Sequence, residues 1–307
     1  VFDVSGKEPS KKWVQRFLKA HPEINAKRPR PLDPKRARAF NPATVQAHCE
    51  LLAEVISKYE IPVENIYNTD EKGIQLGGGR KSSTTERIFA ATDQNHYILK
   101  GDSLLLITFI ETVCADGTLC PPGVIMPPGA TGEWYMVEGI GCFSQSANGW
   151  TDNLICHQWF EKAFIPFAKS RNISGKPILL ISDGHQSHET PEMRTLAFDN
   201  CIILYSLPPK TTHKLQPLDV GVFGPLQVAW TKHCETRAIQ RNPITQYNVV
   251  SEYMQIRAQS MTSSVISAAF CKTGIWPTDF SKFSAEDFAP SKHSSTVPSF
   301  PPSFPDS

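Results

Sequence analysis

Pro177-Ile178-Leu179-Leu180-Ile181-Ser182-Asp183-Gly184-His185 is a short, almost wholly apolar run that ends on a carboxylate. Such a run predicts a strand buried on both faces inside a sheet, with Asp183 at its C-terminal edge. Two more aspartates have matching settings. Asp70 closes a strand-like run from Glu64, within Asn68-Thr69-Asp70-Glu71-Lys72-Gly73. Asp219 follows a strand-like run and a Pro-rich loop and opens a helix-like segment, within Gln216-Pro217-Leu218-Asp219-Val220-Gly221. A lone Asp at a strand end usually caps a turn. Three in this layout predict carboxylates gathered at one edge of one sheet. Such a cluster binds hard divalent cations through oxygen, which suits Mg²⁺ or Mn²⁺. Two such ions, roughly 3.5–4 Å apart, can clamp the attacking and leaving oxygens of a phosphodiester.

The flanking pattern supplies the rest of the sheet. Glu64–Asp70 reads as a first strand, with Arg87–Thr92 and Ser103–Cys114 as further strands. Asp116-Gly117 reads as a hairpin turn into a strand near Leu119–Met126. Residues 127–149 are rich in Gly, Pro and aromatics and read as loop. Thr151-Asp152 predicts the cap of a helix to about Lys169. A helix over Glu189–Phe198, a buried strand over Cys201–Tyr205 and a helix over Gly221–Gln240 follow. Upstream, Asn41-Pro42 is a helix start, with Asn as N-cap and Pro in the first turn. Val45, Cys49, Leu52 and Ile56 then keep helical spacing to Tyr59. The fold class is therefore α/β, three meandering strands followed by α-β-α-β-α, with a short helical N-terminal extension.

The chain of 307 residues can bury a sizeable core and hold one large domain beside a small one. Hydrophobic content of 40% and charged content of 20% place it among globular chains. No apolar run approaches the ~20 residues needed to span a bilayer, so no membrane partner is expected. Residues 1–40 hold eleven Lys/Arg against four Asp/Glu, a balance of +7; the remainder, with 20 against 26, is −6. A basic arm suits phosphate contacts or a solvated linker, and an acidic remainder suits a metal site. The eight cysteines include no C-x-x-C pair and no zinc spacing, so reduced thiols are expected. Val1-Phe2-Asp3-Val4 lacks signal-peptide character, and the absence of an initiator Met reads as a fragment or truncated gene model. The Ser/Pro-rich tail from about Ser284 is expected to be disordered.

The segments IYNTDEKG (66–73), LLISDGHQSH (179–188) and LPPKTTHKLQPLDVGVFGPL (207–226) resemble the three catalytic blocks of pogo/Tigger-type transposases, members of the DDE superfamily endonucleases. The 35 residues between Asp183 and Asp219 fit an Asp-Asp-Asp arrangement in that group. The likeness continues into AFCKTGIWP (269–277) and covers roughly residues 8–283. It implies a ribonuclease H-like core of mixed sheet flanked by helices over residues 41–283. It implies that Asp70, Asp183 and Asp219 bind Mg²⁺ or Mn²⁺, and that DNA is cut at transposon ends and joined to a target. A possible homodimer, a nuclear location and the absence of an organic cofactor follow from the same likeness.

Residues 10–20, SKKWVQRFLKA, read as a short amphipathic helix. It resembles the last helix of a centromere-protein-B-type helix-turn-helix, so residues 1–40 are expected to be the remnant of that domain and a basic linker. Lys11, Lys12, Arg16 and Lys19 on the helix, and Lys27, Arg28 and Arg30 after it, are the candidate DNA contacts. The alternatives are a helix packed on the catalytic domain and an extended linker. His185 and His188 either stand near the scissile phosphate, support a carboxylate, or are structural. Thr211, Thr212 and His213 either meet phosphate or hold the loop. Glu71, on the opposite strand face from Asp70, is expected to be a supporting or surface group. Lys72, Arg80 and Lys81 suit a backbone-touching loop or an ordinary turn. Trp134 and Tyr135 either stack on an unpaired base or anchor their loop. The competing function is a catalytically inactive, transposase-derived DNA-binding protein of centromere-protein-B type.

Overall fold

The computed structural model describes residues 6, 8–23, 31–76, 106–129, 134, 136–146, 151–184 and 190–294. The chain divides into two compact units, Val1–Pro34 and Lys35–Ser307. In the first, helix α1 (Lys11–Ala20) starts where Ser10 Oγ accepts from the Trp13 amide at 3.2 Å. Trp13 and Phe17, one turn apart, stack at 5.0 Å between centroids, while Lys11, Lys12, Arg16 and Lys19 are exposed. The amphipathic pattern is thus realised. Lys27, Arg28 and Arg30 lie outside the described residues.

The second unit is built on one six-stranded sheet, ordered β4-β3-β2-β1-β5-β6. The strands are β1 (Ile66–Gln75), β2 (Leu106–Cys114), β3 (Gly123–Met126), β4 (Cys142–Gln145), β5 (Ile178–Ser182) and β6 (Ile202–Ser206). The strands β1, β2 and β3 pair antiparallel, whereas β5 lies parallel to both β1 and β6. The meander followed by parallel strands is the expected order. The turn at Asp116-Gly117 is as read: Gly117 has φ +92°, and a Cβ there would meet Ser263 Oγ at 2.1 Å. The strand expected over Arg87–Thr92 lies outside the described residues.

Packing on both faces of the sheet follows from alternation. Ile178 and Leu180 of β5 enter one core with Tyr67, Trp159, Phe160 and Phe164. Leu179 and Ile181 enter the other, with Ile66, Trp230, Tyr253 and Phe270. Burial on both faces is why this strand carries no polar residue before Ser182. On the first face lie α4 (Asn153–Trp159), a π-helical turn (Phe160–Phe164) and α5 (Ile165–Arg171). Asp152 caps this segment, accepting from the Ile155 amide at 2.8 Å. The helix α6 (Pro191–Asp199) covers the same face near β6 and is capped by Thr190. The opposite face holds α3 (Pro42–Lys58), the short α7 (Thr212–Leu215), α8 (Phe223–Ile239), α9 (Val249–Ser260) and α10 (Ser263–Lys272). Asn41 Oδ1 accepts from the Thr44 amide at 2.9 Å, the cap that Asn41-Pro42 predicts.

The structure departs from expectation at three places. Residues 142–145, read as loop, pair with β3 as a parallel edge strand. Ala37 and Phe40 are buried and belong to the large unit, through a helix α2 (Pro34–Ala39), although residues 1–40 were expected to form one N-terminal segment. Residues 284–294, expected as the start of a disordered tail, fold back. Phe288 is buried and stacks on Phe40 at 5.1 Å, and Ser291 is buried in helix α11 (Ala289–Ser294). A single apolar anchor outweighs Ser/Pro composition here, because Phe288 finds an aromatic pocket made by Phe40, Phe280 and Phe283.

Candidate active site

The strands β1 and β5 run parallel with Ile66 beside Leu179 and Asn68 beside Ile181. Two residues further along that register, Asp70 is level with Asp183, which directly follows β5. Side chains alternate along strands, so Asp70 and Asp183 share the face to which Ile66, Leu179 and Ile181 point. Asp219 arrives on that face in a π-helical turn, Leu218–Val222, just ahead of α8.

One buried amide ties the three segments together. Asn68 Nδ2 donates to the Ile181 carbonyl at 3.0 Å, and its Oδ1 accepts from the Leu218 amide at 3.1 Å. The carboxylate-bearing turn is further seated by Leu218 and Val222, both fully buried. It approaches α10 at Gly221, where a Cβ would lie 2.5 Å from Ala269 Cβ.

Burial dominates the electrostatics at this edge, and like charge adds to it. Burial pushes the half-buried Asp70 carboxyl well above the usual range, and Asp219, Glu71 and Asp183 push it further. The backbone amide of Glu71 donates to Asp70 Oδ1 at 2.9 Å and acts in the opposite sense. Asp219 keeps solvent contact, and the surrounding protein still lifts its carboxyl. A hydrogen bond from Thr212 and the charges of Arg36 and Lys72 offset that rise, while Asp183 adds to it. Burial lowers the ammonium of Lys72, against the pull of Asp219 and Asp70, and its Nζ sits 5.4 Å from the Phe223 ring centroid.

Among the described residues, no three His, Cys, Asp or Glu side chains already stand at metal-ligand spacing. The donor chemistry nonetheless fits a hard divalent cation. Asp70 and Asp219 are all-oxygen donors whose ionised forms are penalised by burial and by the other carboxylates. A dipositive ion reverses both penalties.

The supporting residues separate clearly. Thr211 holds the loop: it is buried and donates to the Pro208 carbonyl at 2.6 Å. Thr212 bonds Asp219. His213 lies beside the Phe40 ring at 6.1 Å, and burial with Arg36 and Lys214 lowers its pKa, so the imidazole next to Asp219 is neutral at pH 7. Glu71 lies on the opposite strand face, as expected. Trp134 is buried and donates from Nε1 to the Tyr247 carbonyl at 3.2 Å, the anchoring arrangement. His185, His188, Arg80, Lys81 and Tyr135 lie outside the described residues. Sequence reading missed Asn68 as a joint and Arg36 as a cation near Asp219. Asn68 opens the Asn68–Gly73 block, two residues before Asp70, and that spacing placed it on the Asp70 face.

A groove of about 460 Å³ opens beside Asp183, lined by His48, Leu51, Tyr205, Leu207 and Pro208. His48 is buried, hydrogen-bonded through Nδ1 to the Tyr205 hydroxyl at 2.7 Å, and burial lowers its pKa to about 4. The unfolded chain, with the ordinary value near 6.5, takes up this proton first. The stability held by neutral His48 is therefore complete above about pH 6.5 and is lost as pH falls toward 4, by about 3 kcal/mol. Protonation of Asp70 and Asp219 acts oppositely over the acid range, so the comparison requires a variant. In urea unfolding at pH 7.5 and 4.5, His48→Gln is expected to lose less stability on acidification than wild type. Equal losses would remove His48 as the cause.

The mixed sheet with helices on both faces is a ribonuclease H-like fold. It superposes on the Mos1 mariner paired end complex with Mn at a TM-score of 0.53, covering 86% of this chain and 68% of that one at 14% identity. A pre-cleavage Mos1 transpososome matches at a TM-score of 0.51 and 14% identity, over 90% of this chain and 74% of that one. Residues 135–270 match the family model of the DDE superfamily endonucleases. That match includes Asp183 and Asp219; Asp70 joins them through the β1–β5 register. Among curated proteins, an "MFS-type transporter clz9" of Cochliobolus lunatus is 30% identical over 72% of this chain. A "Chaetoglobosin A biosynthesis cluster protein C" of Chaetomium globosum is 31% identical over 22% of it. The chain spans only 24% and 16% of those proteins. Among the described residues no helix is long and apolar enough to cross a membrane.

Proposed function

We propose that this domain is the catalytic part of a DNA transposase, cutting and joining DNA phosphodiesters with Mg²⁺ or Mn²⁺ held by Asp70, Asp183 and Asp219. The observation that carries the reading is the convergence of three carboxylates from β1, β5 and the turn before α8 on one sheet face. Its structural neighbours include Mos1 paired end complexes with Mn and with Mg, which supports the choice of cation. Divalent ions held by Asp70, Asp183 and Asp219 would supply a lowered pKa for an attacking hydroxyl and positive charge toward the phosphoryl oxygens.

The chain's own groups then have defined parts. Asp70 and Asp183 are held level by the strand register, and Asp219 is positioned by Asn68, Leu218 and Thr212. Lys72 and Arg36 offer positive charge near the carboxylates, suited to non-bridging phosphate oxygens. His213, being neutral, is not a competing cation. Lys11, Lys12, Arg16, Lys19, Lys27, Arg28 and Arg30 are proposed backbone contacts. Pairing of two protomers on two DNA ends and a nuclear location belong to the same proposal. The named paired-end assemblies of Mos1 favour the first.

The test is strand cleavage of linear, pre-nicked and branched DNA by purified protein with Mn²⁺, beside Asp183→Ala. Metal-dependent cutting that vanishes in the variant is the expected result. DNA binding without cutting would favour the catalytically inactive, DNA-binding reading instead.

A further inference from the structure

A fourth carboxylate stands beside the site. Glu111 of β2 is the direct cross-strand partner of Asp70, so the two side chains project from the same face. Its neighbours on that face, Phe109 and Val113, enter the same core as Ile66 and Ile74, and Glu111 has no solvent exposure. Left to itself, Glu111 would add its charge to the Asp70 cluster and compete for the same cation.

Residues 142 and 146 positions further along prevent this. Arg257 Nε donates to Glu111 Oε1 and Oε2 at 2.8 and 2.9 Å, and Nη2 donates to Oε2 at 2.7 Å. The Tyr253 hydroxyl donates to Oε1 at 2.8 Å. Arg257 Nη2 also donates to the Cys120 carbonyl, tying α9 to the approach of β3. Both carboxylate oxygens are thereby occupied. A buried ion pair seldom stabilises a fold more than an apolar pair of the same volume. Its value here is positional.

We propose that Arg257 is a positioning residue for the carboxylate site: by clamping Glu111 it keeps a fourth carboxylate out of the cation-binding set and fixes the strand pair on which Asp70 sits. The inference rests on the divalent-cation reading of Asp70, Asp183 and Asp219. With the clamp removed, the extra negative charge should tighten cation binding while disturbing the arrangement that cuts DNA.

The experiment is Mn²⁺ binding by titration calorimetry and by the EPR signal of free Mn²⁺, alongside DNA cleavage. Arg257→Met is expected to bind Mn²⁺ roughly 3- to 10-fold more tightly, the scale set by one uncompensated charge at a screened distance from a divalent ion. Its cleavage rate at saturating Mn²⁺ should fall. Adding Glu111→Gln should return the affinity to within about 2-fold of wild type, since the added charge is then gone. Because an unpaired buried Glu111 could prevent folding, Arg257→Lys is measured in parallel. It weakens the clamp while keeping the charge, and should shift affinity in the same direction by about 2-fold. If wild type binds Mn²⁺ while folded Arg257→Met and Arg257→Lys match it, the proposal fails alone and the pair is a strut. If wild type does not bind Mn²⁺, the cation reading fails and the proposal with it.

Discussion

Asp70→Asn is expected to make the metal-free protein more stable and at the same time inactive. In the folded state the Asp70 carboxyl is raised, first by burial and then by Asp219, Glu71 and Asp183. A raised folded pKa means that ionisation on the native state costs more than on the unfolded chain. Stability is then greatest below the unfolded value near 4 and is lost as pH rises through the folded value. At pH 8 without divalent ions wild type bears that cost, and the amide does not. The Tm of Asp70→Asn should exceed that of wild type by roughly 2–4 °C, the scale of about 1 kcal/mol in a domain of this size. The gain should disappear near pH 4. Adding Mn²⁺ should reverse the order, because an ion that binds only the native state stabilises wild type by mass action and has lost a ligand in the variant. Cleavage should fall by at least about 10²–10³-fold, the scale on which removing one electrostatic stabiliser of a transition state acts. A variant that is less stable than wild type at pH 8 without metal, or one still stabilised by Mn²⁺ to the wild-type extent, would refute the assignment.

The second large effect is expected at Asn68. Removing its amide takes from the buried Ile181 carbonyl and the Leu218 amide the bonds that Asn68 supplies. Each lost bond to a buried group costs about 1–3 kcal/mol, so Asn68→Ala should lower stability by roughly 2–6 kcal/mol. Activity should fall further than the loss of folded protein explains, because the same bonds set where the Asp219 turn rests against β1 and β5. Asn68→Asp separates the two halves of the role. It keeps an acceptor for Leu218 N–H but presents a carboxylate to the Ile181 carbonyl. Urea unfolding, with cleavage measured where each variant is fully folded, decides the matter. Near wild-type stability together with full activity in Asn68→Ala would show that the amide is not the joint between the strands.

These two residues show how unevenly the site was legible. Asp70, Asp183 and Asp219 stand out because each sits at a change of pattern: an apolar run ends, or a Pro-rich loop gives way to a helix. The caps at Asn41 and Asp152 are local as well, since a side-chain oxygen meets an amide three residues on. Asn68 was visible but mute, because its two partners lie 113 and 150 residues away. Edge strand β4 was hidden for a related reason. Its residues are only partly buried, so no strong alternation marks it, and its pairing with β3 supplies what composition lacks. The π-helical turn under Asp219 was read simply as a helix start, since its apolar spacing is shared with the α8 helix that follows.

What the sequence alone determined is local. It set the buried strand that Asp183 follows, the meander before it, the helix caps, the hairpin at Gly117, and three carboxylates at pattern boundaries. Only the tertiary structure decided which strands are neighbours, and thus that Asp70 is level with Asp183. It also decided that Asp219 arrives by way of Asn68, and that Glu111 opposite Asp70 is neutralised by Arg257. The physical reason is range. Propensity, alternation and capping act over a few residues, whereas register, burial and charge pairing arise only when distant segments exclude water together.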